Sequence, residues 1–147
     1  MHTPETIFAQ SAQWQSWLDV EAALARVQSE IGIIPKWAAA KITDVAKLDV
    51  IGHDNLVSDI EITKAPVMSL TRLLGKAAGN AGDYVHWGAT TQNVMQTGRI
   101  LLIRQANQAI RKELSIAARN LCKLAHDEAT TVMIGRTNRQ YALPITF

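Results

Sequence analysis

Tyr84-Val85-His86-Trp87-Gly88-Ala89-Thr90-Thr91-Gln92-Asn93 forms a short polar turn that runs straight into the longest helical pattern of the chain, and the two together decide the fold. Beyond the turn, Ile100, Ile103, Ile110, Leu114, Ala117, Leu121 and Leu124 alternate at gaps of three and four, interrupted only by Asn107. A stripe of that length suits a seam in a bundle of long helices. The first N–H groups of a helix lack intrahelical partners and carry partial positive charge, so the start of this one favours an anion. Thr90, Thr91, Gln92 and Asn93 add hydroxyl and amide donors, and Gly88 lets the backbone come close. The same residues also fit an ordinary threonine cap on a polar loop, with no ligand at all.

Upstream of the turn the pattern is helical throughout. Pro4 and Glu5 suit a helix start, and Trp17, Val20, Leu24, Val27 and Ile31 line one face of an amphipathic helix that Gly32 and Pro35 end. Glu21 falls beside that stripe and Asp19 off it, which predicts solvated or rim carboxylates. A shorter helix follows through Trp37, Ala38 and Ile42 to about Leu48, then a break at Gly52-His53-Asp54-Asn55 where Asp54 or Asn55 can cap the next helix. That helix runs to Thr63; Pro66 forces a break before Met68, Leu70, Leu73 and Leu74, and Gly79-Asn80-Ala81-Gly82 is turn chemistry. No alternating strand run, internal repeat or low-complexity segment is found. The expected fold is all-α: a small N-terminal helical domain over 1–83, then a substrate loop and the first long helix of a truncated bundle domain over 84–147.

Composition narrows the function. The chain of 147 residues is 48% hydrophobic with a formal charge of +2, which fits a globular domain and leaves no polybasic surface for nucleic acid or anionic lipid. Arg104, Arg111, Lys112 and Arg119 lie along the long helix, but Glu113 and neutral residues intersperse them and no aromatics interleave, so they read as a solvated face. No run approaches the roughly 18 apolar residues of a membrane span. The single cysteine, Cys122, sits in an apolar helical run, which suits a reducing compartment and a place in the core, and cytoplasm is the expected location. His53 has no companions at metal-ligand spacing and reads as a loop or capping residue; no metal is expected.

The residues carry a resemblance as well. His86-Trp87-Gly88-Ala89-Thr90-Thr91-Gln92-Asn93 resembles the substrate-loop motif of the fumarase/aspartase superfamily, in the branch of adenylosuccinate lyases and 3-carboxymuconate cycloisomerases. Gly135-Arg136-Thr137-Asn138-Arg139-Gln140-Tyr141-Ala142-Leu143-Pro144, one long helix further on, is similar to the superfamily's second site segment. Trp17 to Ala25, followed by Gly32-Ile33-Ile34-Pro35, is similar to that branch's first helix. The three pieces span nearly the whole chain in the family's order.

The resemblance implies cleavage of a C–N or C–O bond beside a carboxylate with release of fumarate, or the related cycloisomerisation of a carboxylated muconate. Removing a weakly acidic proton next to a carboxylate builds negative charge that fixed donors must stabilise. On that basis Thr90, Thr91, Gln92 and Asn93 hold a substrate carboxylate, His86 orients substrate or shuttles a proton, and Thr137, Asn138 and Gln140 line the opposite wall. No cofactor is implied; a homotetramer is, with each active site shared between chains. Family members are usually several times longer and carry a catalytic serine on a mobile loop, so the chain reads as an N-terminal fragment that is silent by itself.

Three positions depart from the motifs. Asn93 and Gln96 stand where acids are usual, and Asn138 where a histidine is usual; an amide hydrogen-bonds but does not exchange a proton near neutral pH, which removes acid catalysis in its familiar form from position 138. Ala65-Pro66 replaces a histidine common in adenylosuccinate lyases, which draws the reading away from strict adenylosuccinate specificity. Two readings follow: part of a lyase subunit, or a catalytically inactive helical assembly module of the same fold.

Overall fold

A computed structural model describes residues 4–146. The chain divides into two compact units, the first ending at Ala106 and the second beginning at Asn107, with one helix running through the boundary.

The first unit is helical. In order come α1 (Pro4–Ile7), α2 (Gln10–Glu30), α3 (Lys36–Val45), α4 (Leu48–Ile51), α5 (His53–Thr63), α6 (Pro66–Ala78), a 3-10 turn (Gly79–Tyr84) and the first part of α7 (Thr91–Asp127). The breaks fall where backbone chemistry requires them. Pro35 precedes α3, Pro66 opens α6, and Gly32, Gly52 and Gly79 take left-handed backbone angles that a side chain would strain. At the α5–α6 break the Thr63 hydroxyl lies 2.6 Å from the Ser69 hydroxyl and accepts the Ala65 N–H at 3.2 Å. Neither Asp54 nor Asn55 caps α5. Gly52 occupies that position without a side-chain cap, while the Asn55 amide donates back to the Ile51 carbonyl.

Helix α2 organises the core, but on a different face from the one expected. Val27 and Ile31 are exposed, and Val20 and Leu24 are half-buried. The buried face is Trp14, Leu18, Glu21, Ala25 and Gln28, which keeps the same three-four alternation in another phase, with Trp17 and Ala22 beside it. Two polar residues hold stripe positions, so hydrophobicity alone favours the wrong face. The small Ala22 and Ala25 lie in the core with Ala38 and Ala39 of α3, and α2 packs more extensively on α3 than on any other helix. Helices lacking bulk at the contact approach closely, and long side chains are left outside. Gln15 locks the far end: its amide donates to the Ala46 carbonyl at 3.1 Å and its carbonyl accepts the Leu48 N–H at 2.9 Å.

Helix α7 contributes Val94, Gly98 and Leu102 as its buried residues, a single i, i+4, i+8 line. Gly98 is needed there, because a Cβ would stand 2.6 Å from the Ser16 hydroxyl and 2.7 Å from the Trp17 ring. The bundle stripe itself is open: Ile100, Ile103, Ile110, Leu114, Leu121 and Leu124 are all exposed, as is Asn107. Cys122 is exposed too, which corrects its expected place in the core. Among the described residues none covers the helix face on which it lies.

The second unit holds the remainder of α7 and an antiparallel hairpin, β1 (Val132–Thr137) with β2 (Gln140–Thr146). The predominantly helical fold stands, yet the expectation of no strands fails here. Val132, Ile134, Thr137, Tyr141 and Ile145 supply β-favouring side chains, and Pro144 is accommodated in a two-stranded ribbon where edge positions need no donor. Thr137 pairs with Gln140 across the two-residue turn Asn138-Arg139, both with positive φ, 46° and 65°. Consecutive left-handed residues are the signature of the tight turn whose twist matches a hairpin, and Asn tolerates that conformation better than most residues. Gly135, at a register irregularity, would drive a Cβ to 2.5 Å from the Leu143 carbonyl oxygen.

Candidate functional site

The loop from Val85 to Thr90 is held against α2. His86 has φ of 60°, an uncommon backbone for a residue with a side chain, and its Nδ1 lies 2.6 Å from Oε1 of Glu21. One residue on, the Trp87 carbonyl accepts the Gln28 side-chain amide at 2.7 Å. Glu21 and Gln28 are seven residues apart on α2, so two turns of one helix grip two successive residues of the loop. With Gly98 seated on Ser16 and Trp17, the loop and the helix it opens are fixed to α2 at three points. Tyr84, at the loop's entrance, packs edge-on against Trp37 with ring centroids 5.9 Å apart.

Glu21 is the polar centre of this arrangement. Its side chain is fully buried, and its second oxygen, Oε2, has no hydrogen-bond partner among the described residues. Burial raises its carboxyl above the ordinary 4.5, because a charge in a dry site loses its hydration; the hydrogen bond and charge of His86 pull part of that back. The expectation of a solvated or rim carboxylate at position 21 is thereby corrected. Sequence contained one usable signal: Glu21 and Gln28 are in phase with Trp14, Leu18 and Ala25, and a polar residue at a stripe position needs a buried partner. Asp19 is exposed, as expected, and takes a hydrogen bond from Gln15.

The start of α7 follows directly. The Thr90 hydroxyl accepts the Asn93 N–H at 3.4 Å and its carbonyl accepts the Val94 N–H at 3.2 Å, so Thr90 serves as the cap of this helix. Thr91 is half-buried, and Gln92 and Asn93 are exposed in the first turn. His86 also lines a cleft of about 730 Å³ between α6, the end of α5 and the 3-10 turn, with Met68, Arg72, Lys76, Asp83 and Val85 in its wall. Arg72 is paired with Asp59.

Thr137, Asn138 and Gln140 lie in the other compact unit. Thr137 and Gln140 face each other as the closing pair of the hairpin, Asn138 forms its turn, and all three are exposed. The structure thus groups His86 with Thr90 to Asn93 in one unit and the three residues of the second motif in the other. Among the described residues no three His, Cys, Asp or Glu side chains gather where they could hold a metal ion.

Most of the chain is similar to known proteins. A family model described as Lyase matches residues 4–147. The chain belongs to this lyase family. It is 38% identical over 141 residues to an N-acetyl-S-(2-succino)cysteine lyase of Enterococcus italicus, covering 96% of this chain and 31% of that protein. It is 39% identical over 149 residues to an adenylosuccinate lyase of Methanothermobacter thermautotrophicus, covering 99% of this chain and 33% of that protein. Among solved structures, a 3-carboxy-cis,cis-muconate lactonizing enzyme from Pseudomonas putida superposes with a TM-score of 0.84 at 35% identity, over 95% of this chain and 33% of the other. The chain therefore spans about a third of the length of the relatives it matches. The similarity to both an adenylosuccinate lyase and a muconate-lactonizing enzyme agrees with the branch to which the loop motif pointed.

Proposed function

We propose that this chain supplies the substrate-loop wall of a lyase that breaks a bond between a heteroatom and the carbon skeleton of a succinyl-type group, releasing fumarate, or performs the related cycloisomerisation. The observation that carries the reading is the pairing of His86 with a buried carboxylate immediately before the N-terminus of a 37-residue helix. Such a helix start stabilises the negative charge that builds when a proton next to a carboxylate is removed, and fixed donors do so without reorganising. Thr91, Gln92 and Asn93 bind the carboxylate, Thr90 holds the helix start in shape, and His86 orients the substrate or moves its proton. Thr137, Asn138 and Gln140 of the second motif contact substrate as well.

The names of both relatives carry a succinate-type group, borne on sulfur in one of them, so the succinyl end is the common element of the substrate. The exposed apolar stripe of α7 supports assembly with further copies, a homotetramer in this reading, and the enzyme works in the cytoplasm on a free metabolite, with neither nucleic acid nor membrane as partner. Residues 84–147 then begin the bundle domain and residues 1–83 form the domain before it. A second reading, an inactive assembly module, draws on Asn138: its left-handed turn position gives the asparagine a conformational reason to be there that owes nothing to chemistry.

Titration of the isotope-labelled chain with fumarate tests the proposal. Amide shifts are expected at Thr91, Gln92 and Asn93, and Thr91→Val should weaken binding about 10-fold or more, the worth of one hydrogen bond to a charged group. Fumarate that moves none of these amides would remove the site.

A further inference from the structure

Glu21 contacts the cleft-lining His86 from behind, with its own side chain fully enclosed. A buried carboxylate is costly unless it is paired and hydrogen-bonded, and this one leaves an oxygen unmatched. Its one described side-chain partner is a ring nitrogen on a residue in a left-handed backbone conformation, beside a second α2 contact, Gln28 to the Trp87 carbonyl. Gln28 holds the Trp87 carbonyl; Glu21 meets both the ring and the backbone N–H of His86.

We infer that Glu21 is the positioning residue of His86: it accepts the Nδ1–H, fixes the ring's tautomer and leaves Nε2 as a bare acceptor for the substrate's proton. This rests on the reading of the loop as a substrate site and deepens it by saying which nitrogen works. The chemistry follows from donor inventory. A carboxylate has only acceptor oxygens, so across 2.6 Å the Nδ1–H donates to Glu21. A neutral histidine has one N–H, and the hydrogen bond made by one nitrogen decides the state of the other. With Nδ1 committed to Glu21, Nε2 offers a lone pair. In this state His86 receives a proton; once protonated, it donates one from Nε2 while Glu21 shields the new charge.

Nitrogen-15 spectra of the imidazole rings in the ligand-free 147-residue chain, recorded across a pH series up to alkaline pH, test the inference. In the wild-type chain the His86 Nε2 resonance is expected in the unprotonated, pyridine-type region and Nδ1 in the protonated, pyrrole-type region. Glu21→Leu removes the acceptor and should move Nε2 to the pyrrole-type region, whereas Glu21→Gln, whose side-chain oxygen accepts the same N–H, should restore the wild-type pattern. A purely structural role for Glu21 would not produce this swap and rescue. A wild-type ring protonated at Nε2 overturns the inference with no variant needed, and so does an unchanged tautomer in Glu21→Leu. The measurement contains no ligand, so failure of fumarate to bind would sink the site while leaving the role of Glu21 standing, and the converse result would do the opposite.

Discussion

The loop at Val85–Thr90 and the distal part of α7 are built from comparable materials and end in opposite states. Around the loop, polar residues go inside: Glu21 is buried on His86, Gln28 on the Trp87 carbonyl, and Ser69 beneath Thr63. Along α7 beyond Leu102, apolar residues stay outside, with Ile110, Leu114 and Leu121 more than half exposed. The difference teaches that burial within one chain follows the availability of a complementary surface rather than the hydrophobicity of a stripe. The face of α2 with two polar members is covered because small alanines let α3 approach, whereas the more apolar stripe of α7 has no counterpart within its own unit.

The sharpest way to break that contrast is to delete the same methyl groups in both places. Leu18→Ala, at a fully buried position, should cost about 2–5 kcal/mol in chemical denaturation, whereas Leu121→Ala, 60% exposed, should change the stability of the monomeric chain by less than about 0.5 kcal/mol. Equal losses would mean that the stripe is covered after all.

A smaller effect separates the buried acid from an ordinary surface carboxylate. Because the folded-state pKa of Glu21 is raised above 4.5, the folded chain binds the proton more tightly than the unfolded one in that interval. The contribution of this group to stability is therefore fullest below the unfolded value and falls as pH rises through the raised folded value. Thermal melts across that window should show Glu21→Gln losing less stability with rising pH than wild type. Parallel curves would place Glu21 in contact with water.

The smallest effect concerns the hairpin turn of the second unit. Arg139 has φ of 65° without being glycine, so Arg139→Gly should relieve the left-handed strain and, measured as the fraction of paired hairpin by amide exchange, stabilise it by up to about 1 kcal/mol. A loss of pairing would mean that the arginine side chain holds the turn.

Most helices were legible from residue order, because Pro35, Pro66, Gly32, Gly52 and the turn at 79–82 interrupt a chain that otherwise prefers helix. The hairpin was not, since Val132 to Thr146 lacks clean alternation and its turn pair is Asn-Arg rather than Asn-Gly, leaving only β-branched residues as a hint. Of the site, His86 and the threonines were visible through motif resemblance and through the physics of a helix start. Glu21 left only its phase with Trp14, Leu18 and Ala25 as a signal, for a carboxylate beside an apolar stripe is usually wet.

By itself the sequence determined where most of the helix breaks fall, that a donor-rich turn precedes the longest helix, and to which family the motifs are similar. Those features are local, set by backbone restrictions and by short-range spacing. Only the tertiary structure decided which of two three-four stripes on α2 turns inward, and with it that Glu21 meets His86 across 65 positions of chain. That choice depends on the shape of a neighbouring helix, α3, and no periodicity within α2 contains it.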